Sequence, residues 1–245
     1  MENYRDALVL HFDSKYADFM INENKYVFDT PQINAGPEMV IYAKVRNFSL
    51  PNSFYQINSS NNSFNYEVNG VTHNDTIFPG NYTMQNFIDW VANNTELTCT
   101  FIDYEGKLKF THPTFEFEIL QTSTCFAIIG LIEGPLPISS LSQELVCTYP
   151  CNFNPTSVVI VNSNLRTQNF MVHSQAQMSI LAYIPVDKQP WDMLTYDNSA
   201  SNFWNNLNIN QLSELQIFLT DNKMNPIDLN GQNFNLTIEL TFVNQ

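Results

Sequence analysis

Lysine and arginine are scarce: 10 of them face 24 Asp and Glu, giving this 245-residue chain a formal net charge of −14. No basic cluster interrupts that balance, so a phosphate backbone would be repelled by the whole surface, which excludes nucleic acid as a direct partner. Glycine is scarcer, at 7 residues, and the sequence contains no GxSxG, HExxH, Walker loop or GxGxxG. Those fingerprints need glycine or paired histidines at fixed spacing, and without them the chain does not read as an enzyme. Long apolar runs are missing too. The longest, "SVVIV" and "FAIIGLI", are far too short to cross a bilayer. The N-terminal "MENYRDALVLHFDS" carries acids where a secretory signal needs bases. The expectation is a protein without a membrane span, made and used, or assembled, inside a cell. Cysteine is limited to Cys99, Cys125, Cys147 and Cys151. The "CTYPC" spacing of the last two is neither CxxC nor a zinc knuckle, so free thiols are expected and no metal site.

What is abundant is aromatic and amide. Hydrophobic residues make up 44% and aromatics 13%, with 19 Phe and 11 Tyr, which suits pleated, half-buried surfaces better than helices. Asparagine is spread along the chain outside residues 101–150 and is densest in "SNFWNNLNINQ", supplying turn geometry and neutral polar surface. Charged residues are only 14%, so solubility rests partly on amides.

The clearest pattern lies at the C-terminal end. Phe234, Leu236, Ile238, Leu240 and Phe242 alternate with Asn235, Thr237, Glu239 and Thr241, a strand that buries one face. Burying five such side chains is worth roughly 1.5–3 kcal/mol each, so Leu236→Asp is expected to abolish folding and Asp221→Ala to be almost silent. Leu215, Ile217 and Leu219 form a preceding stripe, separated by turn formers Asp221, Asn222, Asn225, Pro226, Asn230 and Gly231. Earlier, "ALVLHFDSKYADF" predicts a short strand and a polar turn, and "MVIYAKVRNFSL" a strand of mixed burial closed by Leu50-Pro51-Asn52. Asn69-Gly70 signals a hairpin. One helix stands out: Thr83 caps "MQNFIDWVANN", Phe87, Trp90 and Val91 share a face, and Tyr82 staples to Phe87. Beyond it Glu105-Gly106 makes a turn, and Leu108, Phe110, Phe115, Phe117 and Ile119 alternate, before the short helical or irregular "STCFAIIGLIEGPLP". "TSVVIVNSNL" and "QMSILAYIPV" are further strands. The fold class that results is mainly β: a β-sandwich from residues 1–60 and 136–245, with a small α+β module at 61–135 carrying one clear helix.

Candidates for chemistry are sparse. His11, His73, His112 and His173 are isolated in sequence and read as solvated residues on turns. Glu116 and Glu118 place two acids on one strand face opposite Phe115 and Phe117, the arrangement of a solvated face rather than of a glycosidase pair. "DNKMNPID" gathers Asp221, Asn225 and Asp228, but Lys223 and Pro226 stand where a calcium loop needs an oxygen ligand and glycine. Trp191 and Phe203-Trp204 could stack on sugars, or pack beneath loops. Sequons such as Asn81-Tyr82-Thr83 and Asn235-Leu236-Thr237 are expected by chance in so Asn-rich a chain. No catalytic, cofactor-binding or metal residue emerges.

Several segments, taken in order, resemble one viral family: "LHFDSKYAD", "LPNSFYQI", "IFPGNYTMQNFIDWVAN" with "YEGKLKF", "CFAIIGL", "ILAYIPV" with "LTYDNS", and "LQIFLTDNKMNPIDLNGQNFNLTIELTF". The chain resembles, over nearly its whole length, the penton-like and minor capsid proteins of virophages, Polinton-like viruses and related protist DNA viruses. That resemblance implies a jelly-roll sandwich acting as a homopentameric vertex capsomer beside the major capsid protein, in a virion capsid assembled in the infected host cell. A receptor-binding spike or another minor capsid protein of the same virions is the alternative it leaves; a carbohydrate-binding sandwich is the non-viral one. A spike usually carries a coiled-coil stalk, and no heptad repeat is present.

Overall fold

A computed structural model describes residues 7–21, 24–36, 38–131, 138–139, 143–165, 179–201, 204–207 and 209–244. In chain order the elements begin with β1 (Leu8–Asp13), β2 (Phe19–Ile21), β3 (Lys25–Asn34) and β4 (Met39–Pro51). There follow β5 (Ser63–Val68), β6 (Val71–Thr76), α1 (Met84–Asn94), β7 (Thr98–Ile102), β8 (Lys107–Thr111), β9 (Phe117–Ile119), α2 (Phe126–Ile129), β10 (Ile138–Ser139) and β11 (Glu144–Val146). The last are β12 (Val158–Ser163), β13 (Ser179–Pro185), β14 (Met193–Asp197), β15 (Asn205–Asn206), β16 (Gln211–Thr220) and β17 (Asn235–Asn244). Two compact units result, Met1–Phe54 with Thr156–Gln245, and Tyr55–Pro155.

The first unit is a jelly-roll sandwich of two antiparallel sheets. One runs β1-β17-β4-β14, with the short β15 also on β4; the other runs β13-β12-β16-β3-β2. Both C-terminal strands are interior: β17 lies between β1 and β4, and β16 between β12 and β3. An interior strand with one face on the core must alternate, which is why these two carry the clearest pattern. Phe234, fully buried, stacks on Phe48 at 5.1 Å and meets Tyr26 edge-on at 4.9 Å. Its N–H donates to Ser14 Oγ (2.9 Å), and its carbonyl accepts from the Ser14 N–H (3.0 Å), joining the first and last strands.

The mixed burial expected of β4, and two departures from expectation in β17 and β3, have physical causes. In β4, Val45 faces Ile238 and Asn47 faces Thr237, so Arg46 is the extra residue of a bulge. The buried positions accordingly switch from Ile41, Ala43 and Val45 to Phe48 and Leu50, and this switch is the mixed burial of that segment. In β17 the alternation holds through Leu240, after which Thr241 is buried while Phe242 is only half-buried. Strand β3 covers Lys25–Asn34, where the sequence reading assigned no strand, and it contains Pro31. That residue lies in Thr30–Gln32, where the register with β16 shifts and no ladder partner is lost.

The inserted α+β module has two antiparallel sheets, β10-β9-β5-β6 and β11-β8-β7, and the helix α1 against β7. Asn69 and Gly70, at φ 50° and 77°, close the β5-β6 hairpin as a primed turn requires. Thr83 caps α1 in a reciprocal box with Asn86, and Phe87, Trp90 and Val91 enter an aromatic core centred on Phe64. The module extends beyond the expected 61–135 at both ends. Glu144–Val146 pairs with β8, and the N–H groups of Cys147, Tyr149, Cys151 and Asn152 bond back to Leu108, Gly130, Gly106 and Ile128. Ile57 bridges Gly80 at the other end. Phe115 also departs from expectation, lying exposed ahead of β9, whose buried stripe begins at Phe117.

Candidate functional site

Most of the described residues considered for chemistry have a structural occupation. His11, exposed on β1, places Nδ1 3.1 Å from Thr237 Oγ1 on the neighbouring strand. His73 stacks on Tyr66 at 4.7 Å and sets Nε2 3.8 Å from Glu96. Burial raises the Tyr66 pKa, and its hydroxyl oxygen accepts from the Glu96 N–H at 3.1 Å. His112 is buried rather than solvated: its Nδ1 accepts from the N–H groups of Thr114 (3.2 Å) and Phe115 (2.9 Å), stapling a turn. His173 and Phe203 lie outside the described residues.

The acids behave likewise. Asp221 Oδ1 accepts from the N–H groups of Lys223 and Asn225, both at 2.8 Å, and Oδ2 from Asn225 Nδ2 at 2.9 Å. Asp228 Oδ1 accepts from the Asn230 N–H at 2.7 Å. These carboxylates hold their own loop in shape with backbone donors, as side-chain-capped turns do. Asn230 Nδ2 then donates to the Ser53 carbonyl (2.6 Å), and Ser53 Oγ to the Leu229 carbonyl (2.6 Å), fastening the loop to the end of β4. Glu116 is exposed before β9, and Glu118 lies within it, facing Glu67 across the ladder. Among the described residues no group of three or more His, Cys, Asp or Glu is placed to hold a metal ion.

All four cysteines are unpaired and belong to the module, three of them buried in its core. Burial pushes the thiols of Cys99 and Cys125 up to about 12, and that of Cys147 higher still. Groups so disfavoured as thiolates are packing residues, not nucleophiles.

The indoles divide. The Trp204 ring covers Lys44 Nζ at 4.7 Å, and that ammonium also meets Glu239 at 3.4 Å and donates to the Ser201 carbonyl at 3.1 Å. Trp191, by contrast, is 66% exposed, and its backbone sits at φ 76°. Of the sequons, Asn81 has its Nδ2 shut away from solvent while its Oδ1 accepts from the Gln56 N–H; Asn235 opens β17 and is exposed.

Exposed apolar surface, which periodicity does not reveal, is the remaining feature of the sandwich. Phe19, Met20 and Ile21 make up the whole of β2, and all three are exposed, with Tyr16 and Leu8 nearby in sequence. A groove of about 400 Å³ lies between β1 and β3, lined by Leu10, Phe12, Tyr16 and Phe28 and equally by His11, Asp13, Asp18 and Asp29. The sequence signal was three consecutive apolar residues, which no two-faced strand can bury together.

No family model matches this sequence, and no curated protein matches it. Among solved structures, the crystal structure of the mavirus penton protein matches 98% of this chain and 100% of its own, with a TM-score of 0.52 and 10% identity. The chain shares the fold of the mavirus penton protein. A chain from the electron cryo-microscopy structure of the Sputnik virophage matches over 98% of both lengths, with TM-score 0.43 and 14% identity. The mavirus likeness takes in sandwich and module alike, because it runs from end to end of both chains.

Proposed function

We propose that this chain is a structural virion protein, the penton at the vertices of an icosahedral DNA virus capsid. It self-associates as a homopentamer beside the major capsid protein, in a shell assembled in the host cell. The observation that carries this reading is the end-to-end likeness of fold to a protein whose name is penton. Two features support it. His112, the carboxylates of Asp221 and Asp228, and the three buried cysteines are engaged in packing and turn formation. A net charge of −14 suits a shell component that does not itself bind the genome.

Negative-stain images of the purified chain test the proposal. A five-fold ring is expected. Particles of another symmetry would point instead to a receptor-binding spike or another minor capsid protein. Exposed Trp191 favours one further reading, a sugar-stacking module. Solitary particles that bind a glycan array through that residue would replace the capsid reading with it.

A further inference from the structure

The two sheets of the sandwich run out on two sides. β1 and β2 end them on one side, β13 and β14 on the other. Every exposed large apolar side chain described in this unit lies at one of those two edges. Leu8, Tyr16, Phe19, Met20 and Ile21 belong to the first; Tyr183, Trp191 and Met193 belong to the second.

At the first edge β2 is only three residues long, and all three, Phe-Met-Ile, are exposed with no lysine or proline among them. At the other edge Trp191 occupies left-handed backbone, rare for an aromatic residue, and the surroundings hold it there. Its N–H donates to the Asn52 carbonyl (2.9 Å), the Asn52 N–H donates to the Asp192 carbonyl (2.8 Å), and Asn52 Nδ2 donates to the Lys188 carbonyl (2.9 Å). A tryptophan fixed in this way, yet exposed, has the preorganisation of an interface anchor.

Areas agree. At about 200 Å² for each large side chain, the observed exposures leave about 500 Å² of apolar surface on the first edge and about 300 Å² on the second. A standard interface buries about 1,600 Å² in total, of which somewhat over half, about 900 Å², is apolar. The two edges together supply that amount, and either one alone falls short of it.

We infer that the β1/β2 edge of one copy seats against the β13/β14 edge of the next, with Trp191 as anchor. This rests on the ring-forming reading above and assigns the surfaces that form the ring. Because the edges are different and lie on opposite sides of the sandwich, the contact is head-to-tail; such a contact does not stop at a dimer, and it makes a ring when the rotation from copy to copy closes, as the ring-forming reading requires.

The test uses the full-length chain, with size exclusion and light scattering on Met20→Asp, Trp191→Asp and the unaltered protein. The unaltered chain is expected to be oligomeric, and each variant to fall to single-chain mass with an unchanged melting temperature. Mixed in equal amounts, the two variants should form a one-to-one dimer and nothing larger, since only one intact edge of each kind remains. If either substitution lowers the melting temperature, Phe19→Asp and Met193→Asp test the same edges. An oligomeric unaltered protein whose edge variants stay oligomeric overturns the assignment and leaves the ring reading standing. Monomeric variants that do not pair on mixing overturn the head-to-tail geometry. A monomeric unaltered chain overturns the ring reading itself.

Discussion

At the scale of single residues, Gly130 is the least replaceable position in the module. It ends α2 at φ 82°, and a Cβ there would run into the carbonyl of Tyr149, whose N–H bonds the Gly130 carbonyl at 2.8 Å. Left-handed backbone and overpacking combine, so Gly130→Ala should cost about 2–5 kcal/mol in a denaturant titration. Asp221 corrects an earlier expectation. Its three hydrogen bonds mean that Asp221→Ala should lower stability by about 1–2 kcal/mol, measurable as a lower melting temperature, rather than pass unnoticed. The thiols give a third outcome. Burial holds the Cys99 and Cys125 thiols far above the usual range and shuts them from solvent, so a thiol reagent should spare them until the protein unfolds and should label half-buried Cys151 first. Asn69-Gly70 and the Thr83 cap were legible in sequence because each acts on backbone within three residues of itself. The burial of His112 was not, because nothing in the order of residues says that the turn folds over its ring.

At the scale of elements, periodicity revealed strands whose two faces differ and missed those whose faces do not. β16, β17, β12 and α1 announced themselves; β2, entirely exposed, and β3, interrupted at Pro31, did not. The bulge at Arg46 explains why β4 read as mixed, since an inserted residue inverts parity without changing composition. In β17, Leu236 is fully buried, and an aspartate there would place a charge in the core without a partner. Leu236→Asp should leave no cooperative thermal transition. The Lys44–Glu239 pair is a subtler case, with side chains 8% and 18% exposed. Lys44→Met strands the acid and should cost about 2–4 kcal/mol, whereas Lys44→Met with Glu239→Leu should cost less than the first change alone. Chemical denaturation of the single and double variants measures that coupling.

At the scale of the whole molecule, the mainly β class and the inserted helical module were readable from composition and from the order of strand and helix signals. The reach of the module to residues 55–155 was not, because Glu144–Asn152 returns to it through short pairings and single N–H bonds that carry no periodic signal. Assembly lies further still from the sequence: Phe19, Met20, Ile21 and Trp191 look like ordinary core residues until the fold shows their side chains exposed. The measurement that bears most directly on the account is the solution mass of the purified chain by light scattering across a range of concentrations. A value about five times the chain mass, steady on dilution, is the predicted result; a single-chain mass at every concentration would contradict it.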